Sequence, residues 1–222
     1  MKKALISIIL VVISIGLSGQ EIELKGIYSA GTFNKYKNNF GFGIGYNQFI
    51  IQKQRLGVAV EFYMNNQAYD YNHTSATDLS RYYQHINPGN SRISVKVNYS
   101  FCVICKQKSV LFIGPEIGLS WFRINEKYDQ VVVTQQEDTL KGQYSSNYSL
   151  NNKPEIGFLA EYELKEIILD RISLSISVHP ELTFCHSLSI KGLDEPAFAG
   201  WLNFSLGIKY SFIKNKRPAE RK

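Results

Sequence analysis

Ser205-Leu-Gly-Ile-Lys-Tyr-Ser-Phe212 closes a segment of unbroken alternation, and that alternation decides the fold. Leu202, Phe204, Leu206, Ile208, Tyr210 and Phe212 fill one set of alternate positions, while Asn203, Ser205, Gly207, Lys209 and Ser211 fill the other. Side chains leave the two faces of a strand in turn, so the segment has one oily face and one small, polar face.

The same period-two template finds seven further strands upstream. The first, over 23–33, is the least regular. The second sets Phe40, Phe42, Ile44 and Tyr46 against Gly41, Gly43 and Gly45. The third sets Leu56, Val58, Val60, Phe62 and Met64 against Gly57, Ala59, Glu61, Tyr63 and Asn65. The fourth sets Ile93, Val95, Val97, Tyr99 and Phe101 against Arg92, Ser94, Lys96, Asn98 and Ser100. In the fifth, Leu111, Ile113, Ile117, Leu119 and Trp121 oppose Phe112, Gly114, Glu116, Gly118 and Ser120. Pro115 has no N–H for a ladder and predicts a local distortion there. The sixth carries Glu161 and Glu163 on its polar side, and the seventh carries Ser173, Ser175, Ser177, His179, Glu181 and Thr183.

Alternation alone does not say which face is inside, but volume does. Roughly forty large apolar side chains exceed what the lumen of an eight-stranded barrel can hold, since that lumen is nearly filled by one inward set. Glycine and serine on the opposite face suit a tight interior. The expected fold is all-β: a closed antiparallel eight-stranded transmembrane β-barrel, apolar outside and polar within. Connection lengths point the same way. The segments 51–55, 103–108 and 165–170 are short, whereas 67–90, 123–154 and 185–198 are long and polar. Short periplasmic turns with longer extracellular loops are the pattern of outer-membrane barrels.

The chain begins with Lys2 and Lys3, then an apolar run from Ala4 to Leu17, then Ser18 and Gly19. That run is about 14 residues against the roughly 20 of a spanning helix, so it reads as a cleaved signal peptide over 1–19. The barrel is expected over 20–212 and a basic periplasmic tail over 213–222. The net charge of +6 owes much to Lys214, Lys216, Arg217, Arg221 and Lys222 in that tail. No aromatics interleave with these bases, so the tail reads as a solvated end, and nucleic acid is not an expected partner.

Three cysteines are too few for a disulfide scaffold. Cys102-Val-Ile-Cys105 is compatible with a redox pair, half a zinc site or a local disulfide. With no second CxxC and no histidine nearby, the local pair is the expected reading. His73 and Asp78 form no metal-ligand pattern, and no metal or cofactor is expected.

Taken together, the leader, the alternation, Gly114-Pro-Glu116 and the ending resemble small eight-stranded outer-membrane barrels of the Bacteroidota type, PorT-like or OmpA/OmpX-like. In the ending, Ser205, Gly207, Tyr210 and Phe212 are similar to the insertion signal of such barrels: polar, any, Gly, any, any, aromatic, any, aromatic. The resemblance implies a bacterial outer-membrane location, with the lipid bilayer and the barrel-insertion machinery as partners. Here ten residues follow the last aromatic.

The predicted lumen charges are Glu61, Arg92, Lys96, Glu116, Glu161, Glu163, His179, Glu181 and Lys209. Buried charges persist when they are paired, so these are expected to brace a closed interior. The expected function is non-enzymatic: a closed scaffold whose loops serve envelope integrity or bind an extracellular ligand or protein. Tyr69, Tyr71, Tyr82, Tyr83, Tyr128, Tyr144 and Tyr148, set among Asn, Ser and Asp, have a composition that binds well at low entropic cost. The alternative is a narrow pore for ions or small solutes. A lipid A-modifying enzyme ranks behind both. His186 and Ser187 are adjacent and cannot share a strand face, and His179 points into the lumen.

Overall fold

The computed structural model describes residues 20–31, 38–51, 53–65, 68–74, 81–133, 138–165, 167, 171–184 and 198–212. Ten strands cover nearly all of them: β1 Gln20–Gly31, β2 Asn38–Ile51, β3 Gln54–Asn65, β4 Tyr69–Thr74, β5 Arg81–Pro88, β6 Asn90–Cys105, β7 Ser109–Val133, β8 Asp138–Leu164, β9 Ile172–Phe184 and β10 Phe198–Ser211. Eight of them form a closed ring in the order β1-β2-β3-β6-β7-β8-β9-β10, sealed where β10 returns to β1. Every pairing is antiparallel. The sealing register runs from Glu21↔Ser211 to Gly31↔Trp201.

The ring is inverted relative to a water-soluble barrel. Leu24, Phe40, Ile117 and Leu206 on the outer wall are 60–67% exposed, whereas Arg55, Lys96, Glu163 and Lys209 inside are at most 1% exposed. Only a surrounding apolar medium makes this distribution stable, because water would penalise the first set and an unpaired dry interior the second. The ladder gives every ring strand two partners and leaves no open edge within the barrel.

Two expected loops prove to be strands. The segment 67–90 contains the β4–β5 hairpin, and 123–154 is largely the tall β7–β8 hairpin. β5 leaves the ring and pairs with the upper half of β7, from Arg81↔Val133 to Pro88↔Glu126. A four-stranded blade, β4-β5-β7-β8, therefore rises above one rim of the barrel. Tyr82-Tyr83 and Val131-Val132-Val133 have the β-branched and aromatic character of strands, but Asn, Gln and Ser interrupt the polar alternation around them. Cross-strand pairing supplies what the local pattern lacks. The first strand also starts earlier than the predicted 23–33. Its predicted end, the long connection after β9, the leader 1–19 and the tail 213–222 fall outside the described residues, as do Asp78, His186 and Ser187.

Pro115 does interrupt a ladder. β6 and β7 pair at Asn98↔Glu116 and next at Phe101↔Ile113, with no pair between. At this gap Gly114 lets the strands close up, because a Cβ there would overlap the Tyr99 carbonyl oxygen and sit 2.7 Å from Ser100 Cα. At the end of β6, Cys102 and Cys105 are joined as a disulfide with Cα atoms 5.9 Å apart. The β6–β7 register slips between Cys102 and Ile104 at the same place.

Candidate functional site

The lumen is built by the alternate residues of eight strands, and its charges fall into linked groups. At mid-height Lys96 Nζ lies 2.6 Å from Glu61, 3.7 Å from Glu116 and in close contact with Glu181. Lys25 holds the other oxygen of Glu61 at 2.5 Å, and Tyr63 donates its hydroxyl to Glu61 at 2.5 Å. Above this, Arg92 bridges Glu155 at 3.6 Å and Glu181 at 3.5 Å. Its guanidinium is sandwiched between the rings of Tyr63 and Trp201, at 4.0 and 4.4 Å. Toward the end where both ring termini lie, Arg55 reaches Glu161 at 2.6 Å and Glu163 at 3.9 Å. Lys209 contacts the same two carboxylates, and Arg55 stacks 4.2 Å over Phe112.

All nine predicted lumen residues are buried and belong to this network. Five charged members escaped prediction: Glu21, Glu23, Lys25, Arg55 and Glu155. Each continues the parity of a strand already recognised, Arg55 two before Gly57 and Glu155 two before Gly157. Glu21, Arg55 and Glu155 lie at or beyond the predicted strand ends, whereas Glu23 and Lys25 lie within the least regular strand. Among the described residues, eight buried Glu (21, 23, 61, 116, 155, 161, 163, 181) face five buried bases (25, 55, 92, 96, 209), so 8 − 5 = 3 carboxylates are in excess beside His179.

Above Arg92 the lumen changes character. Phe122, Ile124, Leu150, Ala199 and Trp201 form a buried apolar cluster under the blade. Trp201 satisfies its indole N–H on Thr183 Oγ1 at 2.8 Å. A charged middle therefore lies beneath an apolar cluster on one side of the wall, with Ser29, Asn39, Asn65 and Asn90 buried on the other strands.

One constellation has the form of a hydrolytic triad. Ser177 Oγ lies 2.7 Å from His179 Nε2, and His179 Nδ1 lies 3.4 Å from Glu116. Ser177, the member that sequence reading left out, sits two residues before His179 on the lumen face of β9. Nucleophile, base and orienting carboxylate are thus in order. Yet all three are at most 4% exposed, and Ser177 also contacts Ser205 Oγ. A substrate ester would have to enter the packed interior to reach that oxygen. The expected result with a fluorophosphonate probe is no labelling of Ser177 in the folded barrel; a stoichiometric adduct would make the lumen a reaction chamber. Glu116, His179 and Glu181 also offer a metal-like donor set within 4.8 Å. Lys96 already contacts both carboxylates and serves as their cation.

The residues of the predicted insertion signal lie on β10. Ser205 faces the lumen, and Tyr210 and Phe212 stack edge-to-face on the outer wall with centroids 5.5 Å apart. Gly207 has a packing reason of its own: a Cβ there would come within 2.5 Å of Ser175 Oγ and 2.6 Å of Glu23.

In the blade, backbone register assembles the tyrosines that the sequence scatters. Tyr69, Ile86, Tyr128 and Tyr144 form one cross-strand row, and Tyr71, Gln84, Gln130 and Gly142 form the next. Tyr82 and Tyr148 occupy positions of the same face, continuous with Phe122 and Ile124 below, whereas Tyr83 falls on the other.

No protein-family model matches the chain, and no curated protein matches its sequence. Among solved structures it is similar in fold to neisserial surface protein A, with a TM-score of 0.52 and 10% identity over 89% of this chain and 99% of that one. Ail, the attachment invasion locus protein of Yersinia pestis, aligns over 87% of this chain and 98% of its own, with a TM-score of 0.46 and 15% identity. Its complex with the heparin analogue sucrose octasulfate gives 0.45 and 14%. The ring, its inverted faces and the first of these likenesses make the chain a closed antiparallel eight-stranded β-barrel resembling outer-membrane barrels.

Proposed function

We propose that this is a non-enzymatic barrel of a bacterial outer membrane, sealed along its axis, whose blade stands outside the cell as a partner-binding face. The observation that carries the reading is a connected, buried ion-pair network under the Phe122–Trp201 cluster. An interior packed in this way is a brace, and a brace moves the search for function to what the barrel holds up. The orientation follows from the short connections and both ring termini sharing one end, the usual periplasmic side. The Bacteroidota, PorT-like assignment rests on the leader, Gly114-Pro-Glu116 and the Ser205–Phe212 ending.

The blade suits a binding role because strands fix its tyrosine positions in advance, which lowers the entropy lost on contact.

Planar-bilayer recording on the folded protein tests the sealed reading. No steady openings are expected from the native chain. Openings whose selectivity changes with Lys96→Glu or Glu116→Lys would establish a pore instead.

A further inference from the structure

The end of the barrel opposite the blade carries a ring of bases set among apolar anchors. The β2–β3 turn presents Lys53 beside the exposed Ile50 and Ile51. The β6–β7 turn presents Lys106 and Lys108 beside the exposed Val103 and Ile104. The β8–β9 connection presents Lys165 and Arg171 beside the exposed Ile167. Among the described residues, no carboxylate lies within ion-pair distance of Lys53, Lys106 or Lys108. The same connections hold two acids in sequence, Glu166 and Asp170, both outside the described residues.

These bases are held in place by backbone bonds between successive turns and strand ends. The Cys102 N–H donates to the Lys53 carbonyl at 2.8 Å, the Lys165 N–H to that of Lys108 at 2.9 Å, and the Ser211 N–H to that of Arg171 at 2.9 Å. The Phe212 N–H donates to the Gln20 carbonyl at 3.0 Å, so the bonded rim extends across the seam. Two of the longer side chains lie along aromatic surface: Arg171 donates to the Tyr210 hydroxyl at 3.2 Å, and Lys165 sits 5.8 Å over the Phe49 ring. Apolar residues pointing outward, with ammonium groups reaching past them from a rigid rim, match the boundary between acyl chains and headgroups.

We infer that this rim is a binding surface for anionic glycerophospholipids, whose phosphodiester headgroups neutralise Lys53, Lys106, Lys108 and Arg171 while their chains cover the adjoining apolar wall. The inference rests on the membrane reading above and adds the headgroup chemistry. A zwitterionic headgroup offers a phosphate together with its own ammonium, so it gains little from a ring of bases. A net negative headgroup gains from each base it meets, roughly fivefold per residue at low salt.

The test is native mass spectrometry of the folded full-length protein, released from nanodiscs of equal phosphatidylglycerol and phosphatidylethanolamine with identical chains. Retained phosphatidylglycerol should exceed phosphatidylethanolamine by about fivefold or more. The preference should collapse toward parity in Lys53→Gln/Lys106→Gln/Lys108→Gln, which removes no ion pair within the described residues, and in high salt. Equal retention by the native barrel, or undiminished preference in the triple variant, overturns the inference and leaves the membrane reading intact. Failure to fold into any bilayer overturns both.

Discussion

Lys96→Met should cost the barrel about 3–5 kcal/mol, the range for removing one partner of a buried charge group. Lys96 is the cation shared by Glu61, Glu116 and Glu181, each at most 4% exposed. Methionine keeps most of the volume and the apolar stem, so the loss reports charge rather than a cavity. Three carboxylates would then face one another with Lys25, Arg92 and His179 as the remaining neighbours, in an interior where buried carboxylates already outnumber bases among the described residues. A urea titration of the folded barrel in vesicles, read by heat-dependent gel mobility, measures it. Adding Glu181→Gln to Lys96→Met should recover part of the loss, since one of the three carboxylates that lost Lys96 goes with it. A native midpoint for the single variant would mean water reaches this layer and screens it, and the sealed reading would fall with the pairing.

Gly114→Ala should be worse, beyond about 4 kcal/mol and enough to prevent the heat-shifted band from forming. The added methyl has no room to move into, since it meets the Tyr99 carbonyl and Ser100 Cα, both backbone atoms of β6. Relief requires prising β6 from β7 where Pro115 has already interrupted their ladder. Gly26→Ala is the matched control: a Cβ there meets nothing within 4 Å, and the variant should fold normally. Equal folding of the two would show that the β6–β7 wall is pliable.

How far the sequence could be read depended on what each residue needed from its neighbours. The ring strands were legible because a sheet with oil on one side and ions on the other must alternate, and Phe204-Ser205-Leu206-Gly207 does so without reference to any partner. Glu21, Arg55 and Glu155 were lost at strand ends, where the same parity continued into what looked like turns. The blade was not legible in the same way. Asp129-Gln130 and Ser145-Ser146 carry no periodic signal. Their strand character comes from pairing across β5, β7 and β8. The Ser177–His179–Glu116 contact was illegible in part for a related reason. It joins β9 to β7 across the lumen, a juxtaposition that no spacing along the chain records.

The seam between β1 and β10 has a consequence for how the protein comes into being. Glu21 and Ser211, joined there, are separated by 190 residues, nearly the whole described chain. Until that last strand docks, β1 and β9 each present a row of bare amide and carbonyl groups, and in hydrocarbon every such group costs several kcal/mol. No shorter version of the barrel can wait in the bilayer for its final piece. On the membrane reading proposed above, entry and circular closure are expected to coincide, completed when the strand that precedes Phe212 docks on β1.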